Sequence, residues 1–263
     1  SLMKYTDNRR TVSDGGEYDE SRPDISLYYE EYGDGSPLIL LHGNGEDHTY
    51  FSSQTPFFAK KFRVITPDTR GHGATPRGEG EFTLNRFADD LYRFMTEKGI
   101  AKSHILGFSD GANIAMIFAL RHPEMTDRLI LNGGNLSPDG IRRTTQIPIE
   151  IGYRIARRFA GKSADAKKNA ELLGLMVNEP HILPESLSGI TSPTLVIAGT
   201  RDLVKRSHTE LIASAIPDSQ LCFVRGDHFA ASRNPSEFNE AVMRFLGGEE
   251  GAGMHELKYV TKQ

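Results

Sequence analysis

Hydrophobic residues alternate along the chain between short continuous runs and longer periodic ones. The short runs are rich in Val, Ile and Leu, as expected of strands buried on both faces of a parallel sheet. In chain order they read ISLYYEEYG, PLILLHG, FRVITPD, SHILGFS, DRLILNGG, PTLVIAGT and SQLCFVRG. Between two of them, apolar residues recur every four positions at Phe87, Leu91 and Met95, and Gly99 follows as a stop. The alternation predicts an α/β fold, with helices on both faces of a mostly parallel sheet.

One connection is too long to be a single crossover helix, because about 55 residues separate LILNGGN from PTLVIAG. This segment contains two apolar groups at helical spacing: Ile147, Ile151, Ile155 and Phe159, and then Leu172, Leu173, Leu175 and Met176. We therefore expect a small helical lid at residues 136–190, inserted into a core formed by residues 1–135 and 191–263. The first apolar group is expected chiefly to seat the lid on that core, although it would also suit an apolar pocket.

Composition and charge narrow the class of protein. The chain has 263 residues, 38% of them hydrophobic, which is enough for one large core. A net charge of −4 without a basic stripe gives no sign of nucleic-acid binding. No apolar run reaches the ~18 residues of a membrane span, no apolar signal segment begins the chain, and the single Cys222 excludes an intrachain disulfide. We expect a cytoplasmic globular protein whose partner is a small molecule, neither nucleic acid nor membrane, with its oligomeric state left open.

The stretch GFSDG, residues 107–111, places a serine between two glycines where a strand-like run passes into a helix-like one. A turn this sharp strains its central residue and crowds the neighbours, so glycine is needed two positions to either side. The hydroxyl of Ser109 would then project from the backbone, and the N–H of Asp110 would be free at the start of a helix to bind an oxyanion. Taken alone the pattern is weak, since an ordinary Ser-Gly turn explains it equally well.

A serine hydroxyl is a poor nucleophile at neutral pH and needs a base, which a third group must orient. Asp202 follows the run TLVIAG and His228 follows CFVRG, so each lies just beyond the C-terminal end of a predicted strand. Open parallel sheets place their active sites at that edge. Each residue alone could be an ordinary turn residue, but together with Ser109 they predict a catalytic Ser-His-Asp triad.

A fourth element, LLHGNG, ends another strand-like run at residues 40–45. Gly43 would let the backbone pass close to a substrate, and the N–H of Asn44 would join that of Asp110 in an oxyanion hole, each donor contributing about 3 kcal/mol. A plain glycine-rich turn is the alternative. No dinucleotide fingerprint or phosphate loop occurs, and the histidines form no convincing metal-binding pattern with acids or cysteine. We therefore expect neither cofactor nor metal.

The combination of HGNG, PDTRGHG, GFSDG, AGTRD and GDH resembles the α/β-hydrolase family over nearly the whole chain, from about residue 25 to residue 246. This resemblance implies an eight-stranded, mostly parallel sheet with a helical lid between the sixth and seventh strands. It also implies Ser109 as nucleophile, His228 as base and Asp202 as the group that orients the base. A serine nucleophile disfavours the relatives that use aspartate for epoxide opening or dehalogenation.

The elbow GFSDG and the following LRHPEMTDRLILNGGN are similar to biphenyl-hydrolase-like proteins, which cleave esters of amino acids. We expect a serine hydrolase that cleaves a small carboxylic ester, with a thioester or amino acid ester included, through an acyl-enzyme. Asp110 would attract an α-amino cation, unless it only stabilises the first turn of a helix. The alternatives are a small-molecule binding or signalling module on the same scaffold, and an amide or carbon-carbon bond hydrolase with the same triad.

Several other residues allow two interpretations. Five arginines of the predicted lid would either meet an anionic substrate or form a solvated face beside Glu150, and their helical spacing favours the solvated face: Arg142, Arg143, Arg154, Arg157 and Arg158. Packing explains Tyr50, Phe51 and His181 as well as a place in the pocket does. A structural role is expected for His72 and for Asp227.

Overall fold

A single sheet runs through the computed structural model, which describes residues 24–247 and two short strands near the chain ends. The strands are β1 (Met3–Tyr5), β2 (Tyr29–Tyr32), β3 (Pro37–Leu41), β4 (Arg63–Pro67), β5 (Ser103–Phe108), β6 (Thr126–Asn132), β7 (Thr194–Gly199), β8 (Ser219–Val224) and β9 (Val260–Thr261). Each of the seven hydrophobic runs of the sequence overlaps one of the strands β2 to β8.

The strands lie side by side in the order β1-β2-β4-β3-β5-β6-β7-β8-β9. The six central strands, β4, β3, β5, β6, β7 and β8, pair with one another in parallel. The strands at the two sides of the sheet, β1, β2 and β9, pair antiparallel with their neighbours. The predicted α/β fold with a mostly parallel sheet is thereby confirmed. The resemblance implied eight strands, but seven lie within residues 24–247 and the two terminal strands bring the sheet to nine.

Most of the helices connect successive parallel strands, as crossover connections require, and the last two follow β8. They are α1 (Thr55–Phe58), α2 (Leu84–Glu97), α3 (Asp110–Arg121), α4 (Arg143–Phe159), α5 (Ala164–Asn178), α6 (Arg206–Ala215), α7 (Ala230–Arg233) and α8 (Pro235–Leu246). The periodic run around Phe87 forms α2, which Thr83 caps by accepting a hydrogen bond from the N–H of Arg86 (3.1 Å). Among the described residues, no helix combines the length and apolar character needed to cross a membrane.

Each face of the sheet carries its own apolar core, because successive side chains of a strand point to opposite sides. Leu38 and Leu40 of β3 face a core that α8 closes, while Ile39 and Leu41 face a core that α2 and α3 close. Cys222 is buried in the first of these cores. Burial on both faces is the physical reason why the strand runs of the sequence are apolar almost without interruption.

The connection between β6 and β7 contains α4 and α5, which pack against each other. Leu175 of the second apolar group is buried in the core. The sequence predicted that the first apolar group packs the inserted segment against the core. This prediction is wrong, because the members of the group are 41–55% exposed: Ile147, Ile151, Ile155 and Phe159. Gln146 and Ala156 are the buried residues of α4 instead. A four-residue spacing indicates that side chains share one face of a helix. It does not determine whether that face packs against the core or is exposed to solvent.

A buried ion-pair network fixes the segment that follows β4. The guanidinium of Arg70 is fully buried and donates to Asp24 from both terminal nitrogens (2.9 Å each). It also donates to Asp90 of α2 through Nε (2.9 Å) and Nη2 (2.8 Å). Two bidentate carboxylates therefore accept hydrogen bonds from one buried guanidinium. This contact joins α2 to the segment that follows β4.

We expect Arg70→Met to lower the free energy of unfolding by about 3–5 kcal/mol, because the buried carboxylate of Asp90 loses its cation and Asp24 keeps only the longer contact with Arg86 (3.5 Å). Urea denaturation measures this loss. Arg121→Met is the matched control, since Arg121 pairs with Asp89 at the surface (2.8 Å) and such a pair contributes less than about 1 kcal/mol. Equal losses in the two variants would contradict the structural role of the buried network.

Candidate active site

The serine of GFSDG lies where β5 passes into α3, and its backbone is strained. Ser109 has φ 56° and ψ −120°, and within the described chain it is the one non-glycine residue with positive φ. A Cβ added to Gly107 would lie 2.2 Å from the carbonyl oxygen of Gly111, and one on Gly111 would lie 2.1 Å from that of Leu41. Both glycines of the motif are therefore required by close backbone contacts at the turn.

Three strand ends bring the predicted triad residues together. The hydroxyl oxygen of Ser109 lies 3.1 Å from Nε2 of His228, and Nδ1 of His228 lies 2.7 Å from Oδ1 of Asp202. Because the carboxylate accepts the proton of Nδ1, Nε2 is left as the acceptor that faces the hydroxyl. The arrangement provides a nucleophile, a base and a group that fixes the tautomer of the base.

Asp202 is held by the backbone as well as by the imidazole. Its carboxylate accepts hydrogen bonds from the N–H groups of Gly199 (3.2 Å) and Val204 (3.1 Å). Burial by itself would raise the pKa of Asp202, but the hydrogen bond and charge of His228, together with these N–H groups, hold that pKa below its ordinary value. An ionised carboxylate in this position stabilises an imidazolium when the base takes a proton.

Gly133 makes room for the imidazole, and sequence reasoning missed this function. It has φ 64°, and a Cβ there would lie 2.8 Å from Cε1 and 3.0 Å from Nδ1 of His228. Any side chain at this position would displace the base from Ser109. The available signal was the glycine pair that directly follows the strand run DRLILN, at the edge of the sheet where the triad lies.

We expect Gly133→Ala to slow the reaction of Ser109 with a fluorophosphonate probe, because the new methyl group pushes His228 away from the hydroxyl. Gly99→Ala is the matched control: Gly99 also has positive φ (67°), but its added Cβ would meet nothing within 4 Å. Both variants carry the backbone cost of alanine at a positive φ. A difference between their labelling rates therefore measures the effect of the contact with His228. Equal labelling rates for the two variants would argue against the positioning role of Gly133.

The loop after β3 lies directly against Ser109. A Cβ on Gly43 would lie 3.2 Å from the Cβ of Ser109. Within the described chain, the N–H groups of Asn44 and Asp110 donate to no backbone carbonyl, as donors of an oxyanion hole must. The side-chain amide of Asn44 donates to the carbonyl oxygen of Leu172 (2.9 Å), which connects this loop to α5.

Two buried histidines fix the path of the loop. The N–H of Gly45 donates to Nε2 of His72 (3.0 Å), which gives the structural role predicted for His72 a physical basis. His42 donates from Nδ1 to the carbonyl oxygen of Gly43 (2.8 Å), and its Nε2 accepts from the N–H of Thr69 (3.1 Å). Burial lowers the pKa of both histidines, that of His42 to about 4, so both are neutral at pH 7 and can accept.

A cavity of about 290 Å³ opens onto Ser109 between the sheet edge and the helices α4 and α5. Three carboxyl groups line it, those of Glu46, Asp110 and Glu179, and no lysine or arginine is among its described lining residues. Oδ2 of Asp110 and Oε1 of Gln146 are buried there without a hydrogen-bond partner. Unpartnered acceptors in an acidic cavity favour a ligand that brings hydrogen-bond donors and positive charge.

Burial raises the pKa of each of these three acids, that of Glu46 to about 7. The carboxylates of Asp110 and Glu179 also repel each other, which raises the pKa of Glu179 further. Sequence reasoning found Asp110 through its place in the elbow. It missed Glu46 and Glu179, because nothing in their local sequence indicates that a loop and the end of α5 fold over the same cavity.

The remaining candidates from the sequence lie outside the lining of this cavity. The ring of Tyr50 stacks on Phe108 with centroids 4.3 Å apart, Phe51 is buried in the core, and His181 is exposed. Asp227 pairs with Arg233 near the surface. The five arginines expected to form a solvated face are all exposed: Arg142, Arg143, Arg154, Arg157 and Arg158.

One group of possible metal ligands occurs among the described residues, although no metal cluster was expected from the sequence. Ligand atoms of Asp47, His48 and Asp68 all lie within 4.8 Å of one another. Their oxygens already have partners: Asp68 accepts from the N–H of His48 (2.8 Å), from its Nδ1 (2.7 Å) and from the N–H of Ala74 (2.9 Å), and Asp47 accepts from Thr49. These contacts form a hydrogen-bond network that holds the loop, and none of the three lines the cavity.

We expect the contribution of Glu46 to stability to be lost as pH rises from about 4.5 to about 7, since the native state keeps a proton on Glu46 that the unfolded state releases. Glu46→Gln removes this loss, so its melting temperature should exceed that of the wild type more at pH 8 than at pH 5. Glu185→Gln, at an exposed position, serves as control. A constant difference in melting temperature across this pH range would show that Glu46 is not buried in an unfavourable charged form.

The fold and the geometry agree with the comparisons to known proteins. A family model described as alpha/beta hydrolase fold matches residues 36–169, which is just over half of the chain. The chain therefore belongs to the α/β-hydrolase fold family, and it is a hydrolase of that family.

Several known proteins align with most of the chain. It is 29% identical to the human serine hydrolase BPHL, with 84% of this chain and 83% of the relative aligned. It is 28% identical to a Caulobacter sp. strain K31 protein that carries the assignment carbamate hydrolase RutD, over 85% of this chain and 96% of the relative. A crystal structure of a hydrolase from Pseudomonas aeruginosa PA01 superposes with a TM-score of 0.71 at 26% identity, covering 85% and 95% of the two chains. The similarity to biphenyl-hydrolase-like proteins is thus confirmed.

Proposed function

We propose that this protein is a serine hydrolase that cleaves small carboxylic esters through an acyl-enzyme. The observation that carries the proposal is the continuous chain of hydrogen bonds from Ser109 through His228 to Asp202, at the mouth of a cavity. The similarity to a serine hydrolase supports the same chemistry. The helices α4 and α5, which cover the cavity, have the role of a lid in this proposal.

In the first half of the reaction, the oxygen of Ser109 bonds to the carbonyl carbon of the ester while its proton moves to Nε2 of His228. The carbonyl oxygen becomes negative and accepts hydrogen bonds from the N–H groups of Asn44 and Asp110, each contributing about 3 kcal/mol. When the ester bond breaks, the leaving alkoxide takes the proton from His228. Asp202 stabilises the imidazolium between these two proton transfers.

In the second half, water takes the place of the alcohol. His228 accepts a proton from the water as its oxygen attacks the acyl carbon, and the same N–H groups hold the oxyanion. The bond to Ser109 then breaks, His228 returns the proton to the serine oxygen, and a carboxylic acid leaves. The strained backbone of Ser109 keeps the hydroxyl in place for both halves without further reorganisation.

For the substrate class, we propose an ester that carries an amino cation near its carbonyl group. Asp110 follows the nucleophile directly in the sequence. Its Oδ2 has no hydrogen-bond partner and can accept a hydrogen bond from one N–H of an ammonium group. Glu46 and Glu179 add two carboxyl groups to the same cavity, and a bound cation would stabilise their charged forms. The cavity volume of about 290 Å³ suits a ligand of amino acid ester size. Gly43 leaves space for the acyl group beside Ser109, because a side chain there would meet both Glu46 and Ser109.

The decisive experiment compares hydrolysis of p-nitrophenyl butyrate and of its α-amino analogue by the wild type, Ser109→Ala and Asp110→Asn. We expect Ser109→Ala to lower kcat for both esters by about a thousandfold or more. Asp110→Asn should raise KM for the amino ester about tenfold or more and leave KM for the neutral ester nearly unchanged, because only the amino ester loses a charged hydrogen bond. Equal effects on both esters would contradict recognition of the amino group.

The same assay separates the other functions that this scaffold supports. A single slow turnover with tightly retained product would favour a binding or signalling module. Failure of both esters, with serine-dependent turnover of an amide, a carbamate or a carbon-carbon bond substrate, would replace the ester proposal. The carbamate is included because of the assignment that one relative carries.

A further inference from the structure

The helix that covers the cavity exposes a continuous apolar stripe on its outer side. Ile147, Ile151, Ile155 and Phe159 follow one another at four-residue intervals along α4 and are 41%, 53%, 55% and 46% exposed. The inner side of the same helix carries Gln146 and Ile149, which line the cavity. A stripe of this length does not contribute to the core of the protein, so it marks a contact surface.

Basic side chains border the stripe. Arg154, Arg157 and Arg158 line a shallow surface depression of about 390 Å³. Within the described chain, none of the three forms a salt bridge, and Arg157 only covers the ring of Tyr153 at 5.8 Å. Three adjacent cations that form no salt bridge within the described chain favour an anionic contact.

The charge of this surface is opposite to that of the molecule. Residues 142–162 contain six arginines and lysines and one acid, Glu150, whereas the whole chain has a net charge of −4. A helix with an apolar stripe beside a basic border is typical of segments that lie in the plane of an anionic lipid surface. The apolar side chains enter the boundary of the acyl chains there, and the arginines meet the lipid phosphates.

We propose that the outer face of α4, formed by the apolar stripe and the arginines beside it, docks on anionic lipid surfaces. A second copy of the chain suits this face less well, because pairing α4 with its own copy would bring Arg154 and Arg158 of both chains together with one acid per helix. The sequence predicted no membrane partner from the lack of a spanning segment, and that criterion does not bear on surface binding. Docking would place the cavity, which lies behind the same helix, next to the lipid surface.

The test is flotation of the full-length chain with vesicles of phosphatidylcholine, alone or mixed with phosphatidylserine. We expect the wild type to float with the mixed vesicles, to float less at high salt, and to stay behind with phosphatidylcholine alone. Arg154→Gln combined with Arg158→Gln should weaken partitioning about fivefold per charge removed. Ile151→Asn combined with Ile155→Asn should abolish it.

Controls keep the result specific. Lys60→Gln combined with Lys61→Gln removes two exposed cations outside the insertion and should leave flotation unchanged. Hydrolysis of a soluble ester should be unchanged in every variant, because none of the substituted side chains lines the cavity. Circular dichroism verifies folding independently of activity.

Three outcomes would overturn the proposal. The first is a wild type that binds no vesicle, and the second is an equal loss of binding in the Lys60 and Lys61 control. The third is a dimer, seen in sedimentation without lipid, that Ile151→Asn with Ile155→Asn dissociates, since a second copy would then occupy the stripe.

Discussion

The candidate site depends on one strained turn, at which β5 ends and α3 begins. The backbone of Ser109 has a conformation that costs about 1–3 kcal/mol for a residue with a side chain, and close backbone contacts at Gly107 and Gly111 hold it there. The turn lifts the hydroxyl to the edge of the sheet where β7 and β8 also end. Since Asp202 and His228 follow those strands, parallel pairing places the three groups at the same edge, and the loops that carry Asp202 and His228 complete the approach to Ser109.

The titratable groups around this turn differ in charge and in role. His42 and His72 are neutral because burial lowers their pKa, and as acceptors they hold the loop that approaches Ser109. Asp202 is kept ionised by its hydrogen bonds. The three acids of the cavity have raised pKa values, and a cationic ligand would relieve that cost by stabilising their charged forms. The electrostatics therefore support both the proposed chemistry and the proposed substrate class.

The helix α4 separates two environments. Its inner side completes an acidic cavity, and its outer side presents apolar and basic side chains to solvent. The basic side chains and the exposed apolar stripe of the outer side are not needed to line the cavity, so the sequence of this helix satisfies more than the packing over the cavity.

The sequence by itself determined the succession of strands and helices along the chain, the strand-to-helix turn GFSDG and the candidate triad. Apolar runs record burial on both sheet faces, and residues that follow parallel strands lie at the same edge of the sheet. Only the tertiary structure decided that Gly133 borders His228, that Glu46 and Glu179 share a cavity with Asp110, and that the stripe from Ile147 to Phe159 faces outward. These facts depend on how distant loops and helices pack over the sheet, and local periodicity and spacing contain no information about that packing.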